Sequence, residues 1–341
     1  MIKTRLFILA LASALLCPFL LTGCVGRNEN VVITYNTPQQ WVNWGAVLSE
    51  FTARTGIRAP NDNKNSGQSL TALLAERNNP VCDVVYLGIV FGINAAREGV
   101  LAGYKSPYFD NIPAELKDPN GYFETVHYGS IAILCNTEAL GSVPVPRSWA
   151  DLLKPEYRGK IGFLDPTSAA IGYSVCVALN EAMGGSLDDF TPAFEYLREL
   201  SKNDVLFPKQ TSTARLLKGE IPILIDADFN GYTLKYDENG PIEIVIPLEG
   251  SIRIPYVIAL VRGAPREANG KKLIDFLMSD EGQRLFAQGY VRPINTAALT
   301  EEARARFLPD ADYARVRDVD YAKMAAVQEA FNERWMREIM K

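Results

Sequence analysis

The sequence predicts an α/β fold of two lobes, each a doubly wound sheet, joined by two crossing strands. Three observations carry this. Short β-branched runs alternate with helix-period apolar stripes before residue 100, and the alternation begins again near residue 140. Pro144, Pro146 and Pro155 punctuate the passage between the two series. Two extended apolar stretches, Thr125 to Asn136 and Ile254 to Val261, lie where the lobes would be connected. Two crossings mean that the second lobe is inserted into the first. The expected boundaries are 1–23 for a leader, 24–30 for a linker, 31–134 with 256–341 for the first lobe, and 135–255 for the second.

Taken in order, Met1 to Arg5 carries Lys3 and Arg5, and Leu6 to Leu21 is an almost wholly apolar run of 16 residues containing Pro18. That is short of the ~20 residues needed to span a bilayer, and with its positive flank it describes a secretory signal. Leu21-Thr22-Gly23-Cys24 resembles the bacterial lipobox. The resemblance implies cleavage after Gly23 and lipidation of Cys24, which would hold the chain to a membrane on the extracytoplasmic side of the cell envelope. Polar Arg27 to Asn30 then serves as a linker.

Val31 to Tyr35 reads as a strand. Trp44, Val47, Leu48 and Phe51 form the stripe of a helix that Gly56 ends, and their spacing makes Trp44 a core residue. Turn formers from Asn61 to Gly67 precede a second helix marked by Leu70, Leu73 and Leu74, and Asp83 to Leu87 is a buried strand. This β-α-β-α-β order predicts a parallel sheet. In the second lobe Lys160 to Leu164 is a strand, and Asp165-Pro166-Thr167-Ser168 leads into a helix with Ile171, Val175, Ala178 and Ala182 on its core face, stopped by Gly184-Gly185. Ala193, Leu197 and Leu200 mark another helix; Pro222 to Ile225 and Ile242 to Ile246 are strands. Lys272 to Phe286 and Tyr313 to Met340 read as helical and are assigned to the first lobe.

Composition excludes several functions. With 40 Asp+Glu against 35 Lys+Arg, the net charge of −5 argues against a nucleic-acid partner. A single histidine, His127, makes an imidazole-rich metal site impossible. Its place in a crossing strand suggests a hydrogen-bonded structural residue. Phosphate-loop, G-x-S-x-G and H-E-x-x-H motifs are all absent. Of five cysteines, Cys17 would leave with the signal and Cys24 would carry lipid; Cys82, Cys135 and Cys176 read as buried apolar thiols. Asp226 and Asp228 follow a strand at i, i+2 spacing and can project to one side. No metal site and no cofactor is expected.

A family resemblance then becomes specific. Trp149-Ala150-Asp151-Leu152-Leu153-Lys154-Pro155-Glu156-Tyr157-Arg158-Gly159-Lys160-Ile161 resembles the W-x-D-L-x-x-P-x-[YWF]-[KR]-G-K-[IL] segment of type II solute-binding proteins of ABC importers. Phe51 to Ile57 resembles their F-x-x-x-T-G-I helix end, and Ser279 to Gln283 their S-x-E-G-Q helix start. Asn79 to Val84 resembles N-P-x-A-D-V, with Cys82 in place of alanine. The motifs run in the family's order from Val31 to Tyr290. The resemblance is to the branch of iron(III), polyamine, thiamine and phosphonate or sugar-phosphate receptors. It implies the type II periplasmic-binding-protein fold, a small-molecule solute, an ABC permease with separate ATPase subunits as partners, a monomer, and no catalysis.

In open α/β sheets ligands sit beyond the carboxyl ends of the strands, where helix N-termini favour anionic or polar groups. The expected ligand residues are therefore Asn36, Thr37 and Trp41 after the first strand, Ser66, Gly67 and Ser69 opening the second helix, and Thr167 and Ser168 in the second lobe. Asp226, Asp228, Tyr232 and Tyr256 complete the set; the acids suit an ammonium group, to which the rings of Trp41 and Tyr232 would add cation–π contact. Iron-binding relatives commonly use adjacent tyrosines near the segment reading Asp226 to Tyr232 here, and this sequence has no Tyr-Tyr pair. A zwitterion such as an aminoalkylphosphonate, another anion, or a polyamine fits the residue types better. Two other readings use the same residues: a ligand-sensing lipoprotein that feeds a membrane kinase, and an envelope enzyme built on Asp226 and Asp228.

Overall fold

A computed structural model describes residues 30–210 and 212–340. The leader, Cys17, Cys24 and most of the linker lie outside the described residues. The first lobe opens with strand β1 (Thr34–Tyr35), helices α1 (Trp44–Thr55) and α2 (Ser66–Ala75), strand β2 (Val84–Gly88), helix α3 (Ile89–Arg97) and strand β3 (Leu101–Ala102). Strand β4 (Glu124–Asn136) crosses to the second lobe. There follow α4 (Thr137–Leu140), β5 (Ile161–Phe163), α5 (Ala170–Ala182), α6 (Thr191–Ser201), α7 (Thr213–Leu217), β6 (Ile223–Ala227), α8 (Asp228–Tyr236) and β7 (Ile242–Val245). Strand β8 (Ser251–Val261) returns, and α9 (Glu267–Met278), α10 (Asp280–Gln288), β9 (Arg292–Pro293), α11 (Glu301–Arg304), α12 (Asp310–Tyr313), β10 (Val316–Arg317) and α13 (Tyr321–Glu338) complete the chain.

Both crossing segments are strands, as the sequence suggests. The sheet is not two separate parallel ones, however. Its hydrogen-bonded path runs β1-β2-β8-β4-β6-β5 without a break. The outer pairs β1/β2 and β5/β6 are parallel, whereas β2/β8, β8/β4 and β4/β6 are antiparallel. A mixed sheet follows because the crossing strands run against the others, and helix–strand alternation constrains only strands joined by a helix. The 13-residue β4 changes partners midway: Glu124 to Ser130 pair with β8, and Ile131 onward pairs with β6.

The W-x-D-L segment is an anchor. Trp149 is fully buried and its indole N–H donates to the Gly250 carbonyl at 2.9 Å, while the Glu249 carboxylate accepts from the Trp149 and Ala150 amides. Trp44 is equally buried, edge-on to Tyr86 and Phe286. Cys82, Cys135 and Cys176 are free and buried, and desolvation raises all three thiol pKa values. The stretch read as helical from Lys272 to Phe286 is two helices that part at Ser279, where the S-x-E-G-Q resemblance places a helix start; the Ser279 hydroxyl accepts from the Gly282 amide and caps α10.

The C-terminal helix differs from its assignment. Asn94 of α3 donates to Gln328 of α13, a first-lobe contact. Further along α13, Phe331 packs against Tyr173, Phe190 and Phe194, and Trp335 against Phe163 and Phe207, all in the second lobe. Helix periodicity identifies the buried face but not the surface that it covers.

Candidate ligand-binding site

The cleft between the lobes holds a cavity of about 240 Å³. The first lobe lines it with Asn36, Trp41, Lys64 and Ser66; the second with Ala169 to Ile171, Gln210, Thr213, Asn230 and Thr233; Tyr256 of crossing strand β8 closes its base.

The loop after β1 is held in an unusual backbone. Asn36 has φ 63°, and its side chain donates to the Tyr86 carbonyl at 2.8 Å while its own amide donates to Asp62. Val42 and Asn43 also have positive φ, 43° and 64°. For a β-branched residue this is a strained conformation that the surroundings must impose. They do so through Asn43, whose amide donates to the Leu285 carbonyl at 2.7 Å. The result places the Trp41 ring edge-on to Tyr86 and Tyr256, with its indole N–H donating to Asn230 Oδ1 across the cleft at 2.8 Å.

Two helix ends face the same space. Ser66 begins α2, and its hydroxyl accepts from the Gly88 amide; the helix is closed by a capping box of Asn65 and Gln68. Helix α5 has no side-chain cap, so the N–H groups of its first turn, beside Ala169 to Ile171, are left for another acceptor. Lys64 supplies the cation on this side, paired with Asp62 at 2.7 Å and over the Tyr35 ring.

Behind Asn230 is Asp226, fully buried near the end of β6. One carboxylate oxygen accepts from the Ala227 amide and from Asn230 Nδ2; the other, Oδ2, has no hydrogen-bond partner. Desolvation pushes its pKa up to about 6, against the two hydrogen bonds, which lower it.

In the comparisons with known proteins, residues 79–324 match the family described as bacterial extracellular solute-binding protein. The chain belongs to that family. Among relatives of this solute-binding protein is a periplasmic protein of Salmonella typhimurium named, provisionally, as 2-aminoethylphosphonate-binding; it is 30% identical over 283 residues, covering 79% of this chain and 80% of the relative. The spermidine/putrescine-binding periplasmic protein of Escherichia coli is 26% identical over 293 residues, covering 80% and 79%. Among solved structures, the periplasmic binding protein AfuA from Actinobacillus pleuropneumoniae, with exogenous fructose-6-phosphate bound, superposes with a TM-score of 0.79 at 24% identity, over 91% of this chain and 98% of that one. Iron-bound HitA from Pseudomonas aeruginosa gives 0.71 at 19%, over 89% and 98%. These likenesses establish the type II fold of this solute-binding protein.

Of the twelve ligand positions expected from sequence, Asn36, Trp41, Ser66 and Tyr256 line the cavity. Asp226 stands one hydrogen bond behind it, through Asn230. Thr37 is buried against Thr34, and Thr167 bonds back to Asp165, each closing its own turn. Ser69 and Ser168 have buried hydroxyls without partners but do not line the cavity, and Gly67 faces the Ser168 carbonyl of the other lobe.

Asp228 and Tyr232 are turned elsewhere. Asp228 accepts from the Ser130 amide through one oxygen and from Arg292 and the Tyr313 hydroxyl through the other. Tyr232 bonds Tyr313 at 2.6 Å and accepts from the Leu308 amide. The i, i+2 projection fails because strand β6 ends at Ala227 and Asp228 already belongs to α8. The two acids therefore do not form one site, and no group of three or more His, Cys, Asp or Glu among the described residues is disposed to hold a metal ion.

The sequence reading missed Lys64, Asn230 and the first turn of α5 beyond Ser168. For Asn230 a signal existed: it lies four residues after Asp226, so its amide can reach the preceding carboxylate once a helix begins there.

Proposed function

We propose that this solute-binding protein captures one small polar solute in the cavity lined by Trp41, Ser66, Asn230 and Tyr256 and delivers it to an ABC permease driven by separate ATPase subunits. The cavity lined from both lobes carries the reading, because a solute that touches both favours the closed arrangement over an open one. Strands β4 and β8 would act as the hinge. The anionic end of the solute lies against the uncapped first turn of α5, the start of α2 and Lys64; an ammonium end lies toward Asp226 and the faces of Trp41 and Tyr256. A zwitterion of the aminoalkylphosphonate kind satisfies both ends, in keeping with the name of the Salmonella relative. Polyamines, named for the Escherichia coli relative, satisfy only the second.

The protein would work as a lipid-anchored monomer outside the cytoplasmic membrane, with Cys24 as the lipid site. Binding without turnover is the expected chemistry. Isothermal titration with 2-aminoethylphosphonate, ethylphosphonate and putrescine separates the ligand classes. Zwitterion selectivity predicts one-to-one binding of the first and at least about a tenfold loss for each of the others, since each leaves one charged end unmatched. Equal or tighter binding of putrescine would transfer the assignment to polyamines. A receptor kinase encoded beside this chain, in place of a permease and ATPase, would favour the sensing role.

A further inference from the structure

First-lobe backbone approaches the second lobe closely at two glycines. Gly67, in the first turn of α2, faces the backbone of Ser168: a Cβ built there would fall against the Ser168 carbonyl oxygen far inside van der Waals contact. Gly88, at the end of β2, faces the start of α5, and a Cβ there would lie 2.5 Å from the Ala170 Cβ. In both places first-lobe backbone meets the second-lobe segment that enters α5. Neither glycine needs a left-handed backbone: Gly88 has φ −59° and Gly67 lies within a helix. Their missing side chains therefore serve approach, not chain conformation.

We propose that Gly67 and Gly88 are closure-determining residues: their bare Cα atoms let the lobes seat against each other, and a methyl group at either wedges the cleft open. This rests on the reading of two lobes that open and close about a solute. The overlap at Gly67 is with backbone, which cannot turn aside as a flexible side chain would. Sealing the cleft therefore requires one lobe to stand off from the other, and the contacts that span it are lost. They include the Trp41–Asn230 hydrogen bond and the Asn65 amide, 3.4 Å from the Lys209 carbonyl. In the open arrangement an alanine at Gly67 overlaps nothing across the seam and suits the helix better than glycine does.

The test does not need the natural solute. In the full chain with Cys17→Ser and Cys24→Ser, cysteines replacing Asn65 and Lys209 report closure by their rate of linkage with the shortest bis-methanethiosulfonate reagent. The three native thiols are buried. Added Gly67→Ala or Gly88→Ala is expected to slow linkage by about tenfold or more, as overpacking a tight contact does. Ala75→Ser, on the exposed side of α2, should leave it unchanged. The ligand-free melting temperature of the Gly67→Ala protein should equal or exceed that of its parent. Linkage at the parental rate in both glycine variants would overturn the proposal, and so would a parent that does not link at all. Loss of linkage with a lowered melting temperature would also overturn it, since the methyl group would then have damaged the lobe itself. If the parent links, the variants do not, and 2-aminoethylphosphonate, ethylphosphonate and putrescine all fail to bind, closure stands and the solute assignment falls.

Discussion

Two buried titratable side chains near the cleft pull stability in opposite directions. His127 is held neutral by burial, with its pKa lowered to about 3, and its Nε2 lies 2.9 Å from the Tyr86 hydroxyl. The unfolded chain protonates an imidazole near ~6.5, so between pH 6.5 and 3 the unfolded state binds more protons and His127 costs stability as pH falls. Asp226 does the reverse. Its folded pKa of about 6 lies above the unfolded value near ~3.9, so the folded state takes up the proton first and gains stability as pH falls from 6 to 4. In ligand-free protein Asp226→Asn removes the cost of an ionised buried carboxylate. Its melting temperature relative to wild type should be highest above pH 7 and decline as pH is lowered through 6 to 4. An advantage that grows on acidification would show that Asp226 is ionised and satisfied in the folded state. Sequence alone identified Asp226 as noteworthy, because it and Asp228 follow a strand at i, i+2 spacing. It could not show that Asp228 would be spent elsewhere, since that depends on Arg292, distant in the chain.

Among the elements, short C-terminal pieces tie the lobes together through buried polar contacts. Arg292 of β9 reaches Asp228 of α8 at 2.9 Å, and β9 itself pairs with β4 at His127 and Tyr128. Arg292→Met should destabilise the protein by about 3 kcal/mol in urea denaturation, because it leaves the Asp228 carboxylate buried without its cation. Adding Asp228→Asn to that variant should recover part of the loss; no recovery would mean that packing of the Arg292 stem matters more than charge. Helix α13 makes a second tie. Trp335→Ala should cost roughly 3–5 kcal/mol by emptying its place between Phe163 and Phe207. A loss below 1 kcal/mol would show that α13 adds little to the second lobe. Local periodicity sufficed for α1, α2, α5 and both crossing strands, whose apolar patterns are set by their own burial. It failed for β9, β10 and the place of α13: two-residue strands carry no period, and a helix face does not name its partner.

For the whole molecule, the two-lobed form was legible because the W-x-D-L segment and the two crossing strands mark where the chain changes lobes. The cavity was less so. Its lining comes from six separated stretches of chain, and hydroxyls at helix starts look alike whether they cap their own turn, as Thr167 does, or face the cleft, as Ser66 does. Membrane attachment belongs to this scale too. Among the described residues no helix is long and apolar enough to cross a membrane, and the proposed anchor at Cys24 precedes them. The central claim is that the cleft holds one small solute and does not transform it. Native mass spectrometry of the protein, mixed with 2-aminoethylphosphonate and followed over hours, tests this directly. A single added mass is expected at one-to-one stoichiometry, unchanged with time and lost in the Trp41→Ala, Ser66→Ala double variant. Release of a chemically altered solute, or no retained mass from any phosphonate or polyamine, would contradict it.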